Sequence, residues 1–332
     1  MTKAAQAGIT KSMNCGDCGV ACRRFGKHRN GLQRSRCPEC KRTYTEANVR
    51  LLGSMTVDED KALLALQLLV EGNSIRSTER ICGIDRNTIM RLLVVAGKRC
   101  QQMMCERIQN VRVEHLELDE VWTYVGCHQK RVRPDMERPE LRGDQYTYIA
   151  LEERTKLVLA WHLGKRDSAN TDLFTDKIRQ ATNDDRLFDV STDAFAPYER
   201  SIERNLFDRA NHSQIVKLFS HHVEEGRERY SPARFVSVAK DVVTGMPDLD
   251  RASTSHVERK NGSLRQWCKR LTRLTYAYSK KWEHLHAALA LHFAYYNFCR
   301  MHRSLRVTPA MEAGITDSVW TLRELLLGGR IA

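Results

Sequence analysis

The chain reads as a multidomain protein in which a small cysteine-stapled module and a helical unit precede an α/β core. Three observations predict that order. Two Cys-x2-Cys knuckles lie between residues 15 and 40, glycine-punctuated helical periodicity occupies 58–96, and from 111 onward β-branched and aromatic segments alternate with helical ones. At 332 residues the chain is long enough for about two domains and a small module, each burying a core of its own.

The first module is set by Cys15, Cys18, Cys37 and Cys40, two knuckles with eighteen residues between them. Four thiolates at this spacing offer one Zn²⁺ a tetrahedral donor set, and a segment so poor in apolar residues needs such a staple to fold. Four unrelated thiols are the other reading. Cys22 and His28 are spare donors that two complete knuckles leave unused. Arg23, Arg24, Lys27, His28, Arg29, Arg34 and Arg36 crowd the interval, with Lys41 and Arg42 just beyond, so a zinc ribbon here faces phosphate rather than a protein partner.

The whole chain shares that bias. Its net charge of +13 and pI near 9.3 attract a polyanion, and nucleic acid is the leading candidate. No uncharged apolar run approaches the roughly 20 residues that span a bilayer, and the N-terminal stretch has no apolar signal core. A cytoplasmic protein without a membrane partner or a small-molecule substrate is expected. Cys82, Cys100, Cys268 and Cys299 sit singly in apolar helical contexts, which suits reduced thiols.

Residues 58–71 carry Leu63, Leu64, Leu66, Leu68, Leu69 and Val70 and stop at Gly72. A short helix over 77–82 stops at Gly83, and Asp85 caps a third whose inward positions are Ile89, Leu92, Leu93 and Ala96. Short helix, glycine turn, longer helix is the helix-turn-helix layout. It sets Arg86, Asn87, Met90 and Arg91 on the exposed face, types that reach base edges and phosphates in a major groove. The pattern by itself also admits a plain three-helix bundle. Residues 97–110 read as a helical or extended connector.

Strands are expected over 111–125 (VRVEHLELDEVWTYV), 145–151 and 156–163, antiparallel because their connections are too short for helical crossovers. The polar, charge-mixed stretch 127–143 reads as a solvated excursion rather than as a dedicated DNA contact. Ser168 or Asn170 then caps a helix through 181, and LFDVSTD at 187–193 is a short buried strand. Residues 194–250 are mixed. Helices follow at 255–271 and 279–299, the second burying Trp282, Leu285, Leu289, Phe293 and Tyr296 at helical spacing.

Three strands, a helix, a strand and a later helix is the element order of an RNase H-like α/β domain. In that architecture Asp119 on the first strand and Asp193 at the end of the fourth are neighbours, and the late helix can bring Glu258 over them. Hard divalent ions such as Mg²⁺ take oxygen ligands, and a two-metal site for in-line phosphoryl displacement needs several carboxylates. Asn261 and Arg265 share the helical face of Glu258 and suit a DNA phosphate, with Val257, Leu264, Cys268 and Leu271 on the opposite, core-facing stripe. From spacing alone Glu258 reads equally well as a surface charge that offsets Arg259 and Lys260. The paired His221 and His222 have no partner at ligand spacing and read as surface residues. His302 either contacts phosphate or packs.

The segments LDEVWTYVG, STDAFAPY, STSHVERKNGSLRQ, RLTYAYSKKWEHLHAALALHFAYYNFCRMHRSL and TPAMEAG together resemble the DDE transposases of the insertion-sequence-one family, in a long form with zinc ribbon and helix-turn-helix. The resemblance covers most of the chain and is weakest over 127–143 and 200–250. It implies an RNase H-like core, catalytic Asp119, Asp193 and Glu258 holding Mg²⁺ or Mn²⁺, and DNA contacts at Asn261 and Arg265. His302 resembles a position after the family's last long helix. Ala194, His256 and Gly262 depart from the family's usual glycine, tyrosine and aliphatic residue, and Gly262 inside a helix costs about 1 kcal/mol relative to Ala.

The resemblance further implies cleavage and joining at terminal inverted repeats. The partners would be double-stranded DNA, as element ends and target, and a homo-oligomer of at least two chains on that DNA. The domain boundaries expected are 1–50 for the ribbon, 51–110 for the helix-turn-helix and connector, 111–310 for the catalytic core and 311–332 for a tail. The rival readings are an inactive DNA-binding regulator and a nuclease with the same core but no strand transfer.

Overall fold

The computed structural model describes residues 13–28, 33–45, 52–53, 55–220 and 234–329. Its contacts divide the chain into two compact units, Met1–Ser54 and Met55–Ala332. In the smaller unit, β1 (Arg23–Lys27), β2 (Gln33–Arg36) and β3 (Thr43–Thr45) form an antiparallel sheet in that order. Its strands bury almost nothing, so its order has to come from the cysteines beside it. Arg34 and Arg36 flank the Phe25 ring at 5.6 and 5.0 Å, which holds two cations on a surface with little other packing.

The larger unit begins with three helices, α1 (Glu59–Val70), α2 (Ile75–Cys82) and α3 (Arg86–Arg107). Asp58 caps α1 and Asp85 caps α3, each accepting a backbone N–H of the first turn. The second helix starts at Ile75 rather than at 77, because Ser74 takes the capping bond from the Ser77 amide. Gly83 closes it at φ +64, the left-handed conformation in which a side chain is strained. Ile89, Leu92, Leu93 and Ala96 are buried as their spacing requires. The stretch 97–107 is a direct continuation of α3.

That continuation has a packing reason. At Gly97 α3 crosses α7 (Trp282–Phe298), and a Cβ there would lie 2.5 Å from the Cα of Ala287, so only glycine lets the two backbones approach.

The six-stranded sheet has the order β6-β5-β4-β7-β8-β9. β4 (His115–Val125), β5 (Gly143–Glu152) and β6 (Val158–Gly164) run antiparallel, while β7 (Phe188–Asp193) pairs parallel to β4 and β8 (Ala210–Ser220) parallel to β7. β9 (Arg234–Thr244) closes the edge antiparallel to β8. The first strand begins at His115, not 111, since Val111 instead bridges Thr182. α4 (Ser168–Ala181) is capped by Asp167, one residue before the expected Ser168, through the Asn170 amide.

The mixed stretch 194–250 contains three elements that periodicity did not mark: α5 (Pro197–Leu206), β8 and β9. Toward the sheet margin Lys217, Leu218, Val236, Val238 and Val242 are exposed, so apolar residues there do not trace a core face. The excursion 127–143 is mostly exposed, yet Lys165 ties it down through the Arg142 carbonyl (2.5 Å) and the Gln129 side chain (3.1 Å).

α6 (Ser255–Trp267) and α7 cover the sheet on the side opposite α4 and α5, and α8 (Pro309–Glu312) and α9 (Leu322–Leu327) finish the chain. α9 packs on α1, α3 and α7 with Leu325 and Leu326 buried. No helix among the described residues is long and apolar enough to cross a membrane. Gly97→Val should lower stability by about 1–3 kcal/mol, the usual cost of overpacking a close contact. Urea unfolding would register this as a lower midpoint at unchanged slope.

Candidate active site

Strand order reverses between β4 and β7: the chain adds β5 and β6 on one side and β8 and β9 on the other. The crevice at the carboxyl ends of two parallel strands at such a reversal is where α/β sheets hold ligands. Glu117 pairs with Ser191 as the last laddered residues, and the same register carried two residues on sets Asp119 opposite Asp193. Here the strands part. Glu120, which alternation sends to the other face of β4, joins the opening, and one carboxylate oxygen from each of Asp119, Glu120 and Asp193 lies within 4.8 Å of the others.

Each acid is held from a different side. Asp119 faces α6, where the Asn261 amide donates to it at 2.6 Å, and its other oxygen accepts the Glu120 amide at 2.8 Å. On the opposite face, Arg166 spans Glu120 at 3.6 Å and Asp193 at 3.5 Å while stacked 3.9 Å over Phe195. Asp193 also accepts the Phe195 amide at 3.1 Å. Burial raises the Asp119 carboxyl to about 6, helped by the charges of Asp193 and Glu258 and opposed by the Glu120 and Asn261 amides. Burial likewise lifts Glu120 to about 7; Asp193 adds to the rise, and Tyr198 and Arg166 oppose it.

These groups fit a divalent cation. The donors are hard oxygens, they crowd like charges together, and one oxygen of Glu120 is buried with no hydrogen-bond partner among the described residues.

Glu258 lies outside this three-acid group. It sits one turn into α6, close enough to raise Asp119, but its carboxylate is taken by the Lys217 ammonium of β8 and by the Thr254 hydroxyl at 2.7 Å. Asn261 is buried with Val257 and Leu264 rather than opposite them, because i+4 and i+7 from Val257 return to the same helical face. Arg265 is half-buried and donates to the Trp122 and Leu271 carbonyls, each at 3.3 Å.

What sets α6 against β4 is Glu117, which sequence reading passed over. Fully buried, it accepts the His256 and Val257 amides at 2.8 Å each and the His256 ring N–H at 2.7 Å, replacing the N-cap side chain that Thr254 does not supply. Its position two residues from Asp119 was the available signal, since both must share one face. Glu120 and Arg166 had no comparable signal.

Elsewhere, Arg86, Asn87 and Arg91 are exposed, whereas Met90 is half-buried and lines with Arg86 a cavity of about 590 Å³ facing Trp267, Arg270 and Tyr278. His302 is half-buried, bonded to Ser304 at 2.9 Å. His221 and His222 lie outside the described residues.

In the smaller unit the sulfurs of Cys15, Cys18, Cys37 and Cys40 lie within 4.8 Å of one another. Cys15 receives hydrogen bonds that lower its thiol to about 6, the Tyr44 hydroxyl at 3.1 Å foremost, while the bond with Cys40 and burial push Cys18 up to about 12. Four convergent thiols with one readily ionised suit a soft metal such as Zn²⁺.

No known family model and no curated protein sequence matches the chain. Among solved structures, a cryo-EM structure of a piggyBac transposase synaptic complex with hairpin DNA is similar at a TM-score of 0.38 and 10% identity, over 82% of this chain and 70% of that one. A similarity at that level leaves the assignment to the chemistry of the site.

Two outcomes are expected. Asp119 and Glu120 are protonated in the folded, metal-free chain up to about 6 and about 7 against ordinary values of 3.8 and 4.5, so their ionisation costs stability as pH rises through that window. The difference in melting temperature between wild type and the Asp119→Asn, Glu120→Gln double variant should therefore grow in the variant's favour from acid to neutral pH. A flat difference would mean that burial and crowding do not raise the two carboxyls. Second, Cys37→Ser should abolish binding of one metal per chain, measured by elemental analysis, and expose residues 13–45 to proteolysis while the larger unit stays resistant.

Proposed function

We propose that the chain is a DNA transposase of the DDE class, in the long insertion-sequence-one form that its motifs resemble. On this reading residues 1–50 are a zinc ribbon held by Cys15, Cys18, Cys37 and Cys40, and 51–110 a helix-turn-helix with connector that presents Arg86, Asn87, Met90 and Arg91 to the element's ends. An RNase H-like core over 111–310 carries the chemistry, with 311–332 as a tail. The observation that carries it is the carboxylate crevice at the strand reversal, with Asp119 and Asp193 in register and α6 docked beside them.

Mg²⁺ or Mn²⁺ bound there would neutralise phosphate charge and activate water or a 3′-hydroxyl. The protein's part is to keep the donors apart and aimed. Asn261 orients Asp119, Arg166 steadies Asp193 and Glu120, and Asp119 in turn has to shed its proton to bind metal. Glu258 would complete the set if it exchanged Lys217 for metal, and Asn261, Arg265 and His302 would be the residues to contact a DNA strand. The net charge of +13 favours a polyanionic substrate, and bringing two DNA ends together calls for two or more chains on the DNA. The work is done in the cytoplasm on double-stranded DNA.

A second reading follows from the pairing of Glu258 with Lys217: Glu120 serves as the third carboxylate. Purified protein with a labelled duplex bearing the element's end, supercoiled target plasmid and Mg²⁺ should yield joined product that Asp193→Asn abolishes. Asn261→Ala should reduce it roughly 10- to 100-fold, the usual cost of losing a group that orients a ligand. Loss of joining in Glu258→Gln but not Glu120→Gln selects the first ligand set, and the reverse selects the second. Cleavage without joining would make the chain a nuclease, and binding alone a regulator.

A further inference from the structure

α6 also lines a cavity of about 500 Å³ that the acidic site does not use. Lys156, Arg259, Lys260, Arg300 and Arg303 stand in its wall with three histidine rings, and among the described residues no carboxylate does. Lys260 is the unusual member. It is 5% exposed, and among the described residues its ammonium meets only neutral groups, the Tyr296 ring at 3.1 Å and the His292 ring nitrogen at 3.4 Å, with the Phe293 ring 5.9 Å away. Arg259, Arg300 and Arg303 have no ion pair among the described residues either. Burying an ammonium without a counter-charge is costly, and a second cation beside it makes the cost larger.

The aromatic groups explain how Lys260 and Arg300 stay ordered where no counter-charge meets them; burial, with Arg300 beside it, pushes the Lys260 pKa well down, a cost that a bound anion would relieve. Tyr296 lies under Lys260, and Trp267 under Arg300 at 3.9 Å. A side chain held on a ring face commits no N–H donor to a carboxylate: Lys260 spends one on the His292 ring nitrogen and keeps the others for a ligand. Several such donors converging on a space without acids match the several acceptor oxygens of one oxyanion.

We propose that this cavity binds a phosphate group, carried by a nucleic-acid strand or by a free phosphate compound, with Lys260 as its buried anchor and Arg300 and Arg303 as further donors. The site requires no divalent metal and does not depend on the acidic cluster, so it stands or falls separately from strand cleavage and joining.

The test uses the full chain without added divalent metal, as wild type, Lys260→Met and Arg303→Gln. Melting is followed with inorganic phosphate and with pyrophosphate, each against chloride at matched ionic strength. Binding of a fluorescent duplex is followed by anisotropy. Phosphate should raise the melting temperature of the wild type but of neither variant. Duplex affinity should fall roughly 10- to 100-fold in each variant, the span expected for losing hydrogen bonds to a charged group. Loss of the phosphate response with duplex affinity unchanged would retain the phosphate site and assign it to a free compound. Wild-type melting indifferent to both anions, with equal duplex affinity in all three proteins, would overturn the proposal and leave the basic wall as packing and surface charge. If Lys260→Met does not fold, Arg303→Gln decides, because Arg303 is exposed and its loss removes no buried contact.

Discussion

The buried carboxylate of Glu117 decides where α6 sits. A charge taken fully out of water is expensive unless donors replace its hydration. Here two helical amides and an imidazole N–H do so at 2.7–2.8 Å, at the end of a helix whose dipole favours a negative charge. The bond is reciprocal: the helix lacks a side-chain cap of its own, and the strand has an acid that no other group satisfies. One turn on, Asn261 meets Asp119. Two contacts along one face of β4 thus fix both the position and the rotation of α6, and everything that helix presents, Glu258 outward and Lys260 into the basic cavity, follows from them.

The acidic crevice depends on the same strand for a different reason. Laddered strands keep successive side chains on opposite faces, which would separate Asp119 from Glu120. β4 stays laddered to β5 here, so the alternation persists; but beyond Glu117 and Ser191 β4 no longer pairs with β7, and along that opened edge acids from both faces reach a common opening with Asp193. Burial raises two of the carboxyls, their crowding adds to the rise, and Arg166 offsets part of the repulsion. A cation bound there would relieve what remains.

Helices α1 to α3 belong to the same compact unit as the sheet. The contact at Gly97 draws α3 onto α7 at backbone distance, and α9 packs across both, so the far end of the helical segment is anchored to the core while Arg86, Asn87 and Arg91 at its near end face solvent. The smaller unit, whose described strands bury almost nothing, relies on its four thiols.

Much of this was legible in the sequence because it rests on local rules. Asp58 and Asp85 cap helices wherever the chain goes, Gly83 ends one because only glycine enters that conformation freely, and two Cys-x2-Cys turns converge by their own geometry. The apolar spacing of Ile89, Leu92, Leu93 and Ala96 and of Leu285, Leu289 and Phe293 likewise named the buried faces in advance, while Trp282 and Tyr296, expected with the latter, are half-buried. Asp119 and Asp193 were found as candidates because strand order alone makes them neighbours. The tertiary structure decided what a residue's partner would be: Glu117 as a helix cap, Glu120 inside the crevice, Lys217 on Glu258, and Lys260 buried without a counter-charge. Each of those depends on how far strands splay or which helix arrives from more than 40 residues away, and a period of 2 or 3.6 specifies a face but not what covers it.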